Sequence, residues 1–563
     1  MSFSTVPCAA TVRGSMTGAA TSGQKIQVLK PHRIALFLVC LVTLALRLLP
    51  WPSVFNGSFV SFLEVDAYNQ MMYAQKIADM PFWSGLHFTL SHNLLWSGAV
   101  AALSHVAPLE VVGAMLPPLL AVGTVVLVYL IGVALWTRTA GLLAALFVSI
   151  IPSEFLHRSL VGFADHHAAE VFLMALVVFL LVKALKSGHE TRKLMVASTL
   201  TLIALFFYLE NWAGGLTFVG IVLLFALPAL GWLAVTRQRL APVAAGVILP
   251  VVGALALYAP FGGWNRIAGI FPHAQETVAA LPVATQASIE GLRTFLAPIS
   301  QRTIGEIMPL FYPFGRFDTG VVTTNLGLFA VTFFIGMAVL WKTRGERSIQ
   351  FFFVWAAAIL LMTLNTRRFL YYLTLPVGLA SAYLISWAAD RLKANRIIAV
   401  CSLAFPLILF AMPFTLRLGI GSYYQQSPEW HAALSWLKNQ PAGVVTAWGD
   451  YGHWIQYETG MQPSLLPGPG GKDVATAFLT SDDAKAYGIF QMLGTRYVIV
   501  DAETLQAKLP ALKIISGINP SDMDITLSHR MFYGGYVPNF VRLVYQSPIL
   551  RIWEFSVVAA SLP

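Results

Sequence analysis

Between residues 33 and 415 the chain returns again and again to apolar runs of about 17–25 residues, the length a helix needs to cross the hydrocarbon core of a bilayer. The runs fall near 33–50, 108–135, 139–154, 167–185, 194–209, 212–234, 240–259, 321–341, 349–365, 369–388 and 395–415. Composition agrees, with 57% hydrophobic and only 11% charged residues. A soluble globule does not use residues in that balance. The pattern predicts a polytopic α-helical membrane protein of about 11–13 transmembrane helices, the upper figure allowing for spans hidden in Pro- and Gly-broken stretches.

A net charge of +10 raises the question of a nucleic-acid partner, and the location of the charge answers it. Residues 425–563 hold 9 Lys/Arg and 11 Asp/Glu, so the excess lies elsewhere. It clusters in short links: Lys183, Lys186, Arg192 and Lys193; Arg237 and Arg239; Lys342, Arg344 and Arg347; Arg391, Lys393 and Arg396. That is the positive-inside pattern of cytoplasmic loops, not the footprint of a nucleic-acid binder. Residues 1–32 are polar and read as a cytoplasmic tail, with the first span serving as an uncleaved signal anchor. Eleven spans then put 425–563 outside the cytoplasm, on the periplasmic or extracellular face of the inner membrane.

The expected organisation follows. Residues 33–424 form the membrane domain, interrupted by outer loops at 51–107 and 260–320 and a short outer turn at 155–166. In residues 425–563, helical stretches (431–439, 482–493) alternate with strand-like runs (444–447, 497–501, 541–545, 550–555), which predicts a mixed α/β extracytoplasmic domain. Cys8, Cys40 and Cys401 imply no disulfide framework, since none lies in that domain.

Each outer segment carries acids or imidazoles at the membrane edge, where desolvation demands a partner or a function. "FLEVDAYNQMM" brings Glu64 and Asp66, "LVGFADHHAAE" brings Asp165, His166, His167 and Glu170, and "SQRTIGEIMPL" brings Thr303 and Glu306. Singly, Asp66 reads as a helix N-cap, the Asp-His-His as a polar turn and Glu306 as a solvated acid. Jointly, and on one predicted side, they make an oxygen-rich site with one nitrogen, suited to Mg²⁺ or Mn²⁺. Past the last span, "TAWGDYGHWIQYETG" packs aromatic residues, glycines and Asp450 into a knot beside the membrane.

Four motifs in order, the Asp of "EVDAYN", "ADHHAAE", "TIGE" (303–306) and "WGDYG" (448–452), resemble the catalytic subunit of oligosaccharyltransferase over nearly the whole chain from about residue 33. "LGTRYVIVD" (493–501) and "RIWEF" (551–555) are similar to later strands of that family's C-terminal domain. The family has single-subunit members in bacteria and archaea. The resemblance implies transfer of an oligosaccharide from a polyprenyl diphosphate to the asparagine amide of Asn-x-Ser/Thr, with inversion. It implies metal ligation by Asp66, Asp165, His167 and Glu306, with Asp66 and Glu306 at the acceptor amide. Trp448, Asp450 and Tyr451 would face the acceptor Ser/Thr, and Arg316 its neighbouring acids. Arg367 and Arg368 in "NTRRFLYYL" would meet the donor, Arg368 foremost. Gly449 departs from the family pattern, which has a second Trp there. His453 and Trp454 are expected to pack, His166 to face away from its neighbour or else to serve as a second ligand, and Tyr208, Glu210 and Trp212 to join an interfacial belt or else to touch donor or lipid.

Two other classes compete. A glycosyltransferase using a polyprenyl-phosphate monosaccharide, acting on lipid or protein hydroxyls, also has acids in its first outer loop but lacks "TIGE" and "WGDYG". A transporter would place acids in mid-span and show internal repeats, neither of which is visible. "PGPGGKD" (467–473) fails the spacing of a phosphate loop. "FNGS" (56–58 and the residue before) is a three-residue glycosylation acceptor pattern.

Overall fold

The computed structural model describes residues 31–57, 59–187, 190–212, 214–236, 239–263, 308–312, 317–392, 395–421, 423, 425–466, 471–534 and 537–556. Among them, eight helices are long and apolar enough to span a bilayer: Leu109–Leu135, His167–Lys186, Thr191–Asn211, Gly215–Val235, Ala241–Phe261, Arg347–Asn365, Arg367–Ala389 and Arg396–Ile420. Three shorter ones, Pro31–Arg47, Arg138–Ile150 and Leu328–Thr343, cover the other runs read from the sequence. Every expected apolar run is therefore helical. Polar residues set several ends: Thr137 accepts the Ala140 N–H at 3.1 Å and Asn395 that of Ile397 at 2.9 Å, each filling an N-cap.

The first outer loop is largely helical, with Val65–Ala78, Phe82–Ser91 and Leu95–Leu103 folded over the membrane end of the bundle. Asp66 lies in the first turn of Val65–Ala78, whose N-cap is Glu64. This corrects the reading of Asp66 as a cap. The turn at 155–166 is tied by backbone both to this loop and to the helix Leu109–Leu135: Gly162 O accepts from Leu63 N at 2.9 Å, while Gly162 N donates to Ala114 O at 3.0 Å. Gly162 has φ +85, and a Cβ there would come within 2.6 Å of Val54 Cγ2. Only glycine meets both demands. Beneath it, the buried guanidinium of Arg47 donates to Ser149 O at 2.9 Å and Ser159 Oγ at 3.2 Å, pinning the first helix to the start of the turn.

The C-terminal region carries one five-stranded sheet: β1 (Val444–Thr446), β2 (Gln462–Pro463), β3 (Thr495–Asp501), β4 (Val541–Gln546) and β5 (Leu550–Phe555), in spatial order β2-β1-β3-β5-β4. β1 pairs in parallel with β2 and β3, while β5 runs antiparallel to β3 and β4. Central β3 is buried at six of its seven positions, as a strand covered on both faces should be. The short strand β2 and the helices Lys472–Leu479, Ala502–Gln506 and Leu509–Ser516 were not visible as elements in the sequence.

This region does not stand apart from the membrane domain. One continuous apolar core joins Phe62, Leu63, Tyr68 and Met71 of the first loop, Leu160 and Phe163 of the turn, and Trp430, Tyr451 and Trp454 beyond the last span. Ser61 Oγ donates to Gln426 O at 2.8 Å, and Phe59 stacks on His431 at 4.0 Å. Residues 449–459, a 3-10 turn followed by the helix Gly452–Thr459, thereby rest on the helix that carries Asp66.

The Gly162 junction should be sensitive to a single methyl. Gly162→Ala forces a left-handed backbone on a residue with a Cβ and a clash with Val54, a cost of roughly 1–3 kcal/mol. Thermal unfolding of the full chain in detergent should show a lowered midpoint. Gly220→Ala, where a Cβ meets nothing within 4 Å, serves as the control. Equal midpoints for the two variants would refute this account of the junction.

Candidate active site

The loop-to-loop tie at Gly162 brings three carboxylates from two segments together. Glu64, Asp66 and Asp165 each offer an oxygen, and these lie within 4.8 Å of one another. Asp165 also belongs to a second group with His166 and His167 at the same spacing. It is the hub, 1% exposed, whereas the side chain of Asp66 is 56% exposed. Three acids at that separation repel one another unless a cation sits among them.

The imidazoles are arranged around Asp165 and Glu170. His167 Nε2 lies 3.1 Å from Asp165 Oδ2, and its Nδ1 lies 3.0 Å from Glu170 Oε1. If Nδ1 carries the proton donated to Glu170, Nε2 turns a lone pair toward a carboxylate oxygen, an arrangement that calls for a cation between them. His166 does not face away, as the sequence reading had it. Its ring centroid is 4.5 Å from that of His167, and Nδ1 and Nε2 approach Asp165 and Glu170 at 2.5 and 2.9 Å. Burial by itself would raise the Asp165 carboxyl. The charge of His166 and the hydrogen bonds around the carboxyl outweigh it and hold the group well below the usual carboxylate range. Burial likewise works against the His166 cation, but Asp165 and Glu170 raise that imidazole to about 10.

The donor set, carboxylate oxygens plus one well-oriented imidazole, fits a hard divalent cation. Asp165 thus meets Asp66 and Glu64 in one group and His166 and His167 in the other. Glu306 and Arg316 lie outside the described residues. Met308, just past "TIGE", accepts the Arg367 N–H at 2.9 Å, and Leu310 N donates to Leu364 O at 3.1 Å.

Arg367 and Arg368 form a 3-10 turn at the outer end of their helix. The guanidinium of Arg368 lies 5.7 Å from the ring centroid of Trp212, whose ring is 6.4 Å from that of His166. Asn211 Nδ2 donates to His166 O at 3.3 Å. The 208–212 turn is therefore no lipid-facing belt, because Tyr208 and Glu210 are buried and Trp212 bridges the arginine and the histidines. Only the clustering of aromatic and acidic residues at an outer helix end hinted at this in the sequence.

In "WGDYG" the roles divide. Asp450 Oδ2 is 2.8 Å from Lys508 Nζ, a cation that the sequence reading did not connect to the motif. Tyr451 is 1% exposed, and its hydroxyl donates to Asp501 Oδ2 at 2.7 Å on the end of β3. That geometry makes Tyr451 a prop that fixes the motif to the sheet, in contrast to the acceptor-facing part the resemblance implied. Gly449 has no room for an indole: a Cβ there would meet the Leu465 side chain at 3.1 Å and Leu466 O at 3.2 Å. Trp454 packs between Tyr68 and Trp430, as expected. His453 does more than pack, since Nε2 stands 3.9 Å from Asp66 Oδ1. Burial lowers this imidazole to about 4, so the contact is a neutral ring against a carboxylate, not an ion pair.

Residues 67–420 match the family model described as oligosaccharyl transferase STT3, N-terminal. The chain belongs to the oligosaccharyl transferase STT3 family. It is accordingly a glycosyltransferase of the oligosaccharyltransferase kind, and an integral membrane protein. Among its relatives is dolichyl-phosphooligosaccharide-protein glycotransferase 3 of Archaeoglobus fulgidus, 25% identical over 90% of this chain and 72% of that protein. The AglB glycotransferase of Haloferax volcanii is 23% identical over 67% of this chain and 54% of its own length. The fold is similar to that of the A. fulgidus AglB oligosaccharyltransferase solved with an inhibitory peptide and a dolichol-phosphate (TM-score 0.74, 17% identity, 92% of this chain and 79% of that one). Another A. fulgidus oligosaccharyltransferase structure contains Zn and sulfate (TM-score 0.65, 18% identity, 93% and 73%). ArnT of Cupriavidus metallidurans, bound to undecaprenyl phosphate, shares the fold more loosely (TM-score 0.53, 10% identity, 93% and 97%).

Asp501 gives the Tyr451 prop a pH signature. Burial raises its carboxyl above the ordinary 3.8, against the opposing hydrogen bonds of Thr504 and Tyr451. The folded chain then holds this proton more tightly than the unfolded one. The stabilisation is complete below 3.8 and is lost as pH rises through the folded value. Asp501→Asn keeps an acceptor for the Thr504 N–H and removes the titration. Its unfolding midpoint relative to wild type should rise between pH 4 and pH 7.5, and a pH-independent difference would count against this assignment.

Proposed function

We propose that this enzyme transfers an oligosaccharide from a polyprenyl-diphosphate donor to the side-chain amide of asparagine in Asn-x-Ser/Thr acceptors, with inversion at the sugar carbon. The observation that carries the reading is the convergence of Glu64, Asp66 and Asp165 beneath the "WGDYG" segment. Asp66, Asp165 and His167, with Glu306, would hold Mn²⁺ or Mg²⁺. Such an ion, when bound, supplies Lewis-acid and template chemistry.

The acceptor nitrogen is a poor nucleophile because its lone pair is delocalised into the carbonyl, the same conjugation that gives a peptide bond its barrier of about 18–20 kcal/mol. Asp66, half exposed where Asp165 is buried, can reach the amide. Together with Glu306 it would accept both N–H bonds and favour a less conjugated conformer. Lys508 engages one oxygen of Asp450 and leaves the other to accept the acceptor's hydroxyl proton. Contacts there, remote from the reacting nitrogen, would hold it in line with the anomeric carbon. On the far side Arg368, braced over Trp212, and Arg367 would receive the departing diphosphate. The C-terminal region would lie on the periplasmic or extracellular face, and the chain would work as a single subunit.

Transfer of a lipid-linked glycan to an Asn-x-Thr peptide by the full chain in membranes tests this. Activity should require Mn²⁺ or Mg²⁺, vanish with EDTA, and fall by about 10²-fold or more in Asp66→Ala and Asp165→Ala. Full activity in EDTA would sink the metal-and-carboxylate mechanism. Inactivity toward peptide, with transfer from a polyprenyl-phosphate monosaccharide to a hydroxyl, would put the chain in the competing class.

A further inference from the structure

Glu170 is a fully buried carboxylate one turn into the helix His167–Lys186, and it takes no part in the transfer step proposed for this enzyme. Its two oxygens face different partners. Oε1 is 3.0 Å from His167 Nδ1 and 2.9 Å from His166 Nε2. Oε2 accepts from the Tyr371 hydroxyl at 2.8 Å and from the Tyr372 hydroxyl, which in turn accepts from Tyr208 at 3.3 Å. Tyr371 and Tyr372 follow the Arg367–Phe369 turn after Leu370 alone.

We propose that Glu170 is a positioning residue facing two ways: it orients and enriches His167 as a divalent-cation ligand, and it clamps the outer end of the Arg367–Ala389 helix so that Arg368 stays beside Trp212. The inference rests on the metal-site reading above. The i,i+3 spacing puts His167 and Glu170 on one helix face. A carboxylate accepting the Nδ1–H fixes the tautomer and ring angle and makes Nε2 more basic toward a cation. The donors on Oε2 are neutral hydroxyls. They satisfy that oxygen without adding a counter-charge, and the one cation beside Oε1, His166, is shared with Asp165, so part of the charge remains to act on His167. Because the same two hydroxyls belong to residues one helical turn beyond Arg368, a shift of Glu170 moves the cation ligand and the donor arginine together.

The test uses the full chain in nanodiscs, stripped with EDTA and titrated with Mn²⁺, reading free Mn²⁺ by electron paramagnetic resonance. Glu170→Gln preserves shape and an acceptor for His167 but removes the charge. It should weaken Mn²⁺ binding about 10–100-fold with unchanged stoichiometry, and excess Mn²⁺ should restore glycan transfer. A double variant, Tyr371→Phe with Tyr372→Phe, should weaken Mn²⁺ binding and also raise the KM for the lipid-linked donor. Wild-type Mn²⁺ affinity in Glu170→Gln would overturn the proposal. Should that variant not fold, wild-type affinity in the folded double variant overturns it equally. A wild-type chain that binds no Mn²⁺ would instead defeat the metal-site reading itself, and the same titration separates the two failures.

Discussion

Buried carboxylates at the edge of a membrane domain are expensive, and the structure is organised around meeting that cost. Asp165 and Glu170 are both out of water, and each is matched by groups from elsewhere: two imidazoles between them, and two tyrosine hydroxyls from a distant helix. Removing any of these strips an acid of part of its compensation in a low-dielectric setting. The membrane helices that carry them are therefore fixed at their outer ends by polar contacts, while their lengths are held by apolar packing that has little directional preference. Arg47 follows the same logic on the first helix.

Most of the architecture could be read from the sequence because its signals are local. Apolar run length named the helices, and the Val/Ile-rich runs near 444, 497, 541 and 550 named four of five strands. Strand β2, two residues long, has no pattern of its own and exists only because β1 offers an edge. Asp66, Asp165 and His167 were legible because they sit in short motifs; Glu64 was in view, but its approach to Asp165 depends on the glycine at 162. What stayed hidden were pairings across long separations: Lys508 with Asp450, Tyr451 with Asp501, and Glu170 with Tyr371 and Tyr372. No periodicity announces a partner 50 or 201 residues away.

Gly449 shows how a departure from a family pattern is accommodated. The volume that a second indole would need is occupied by Leu465 and the backbone at Leu466. Trp448 is buried beside it, and its indole N–H has no partner among the described residues. The segment around Gly449 is thus built from one indole, that of Trp448, and an aliphatic neighbour, Leu465, with Asp450 as its polar group.

The shared core between the first outer loop and the region beyond the last span has a consequence for biogenesis. Tyr68 and Gln426, which meet at 3.4 Å, are 358 positions apart. At typical synthesis rates the loop emerges roughly 20–70 s before its partner exists. During that interval Tyr68 lacks Gln426, Trp454 and Tyr457, and Asp66 lacks His453, although Leu160 and Phe163 of the turn are already present. The half-built chamber must be sheltered by lipid, by the translocation machinery or by a chaperone until the final helix is inserted. Completion of this shared core is therefore a late event in synthesis, gated by the segment that follows the helix Arg396–Ile420.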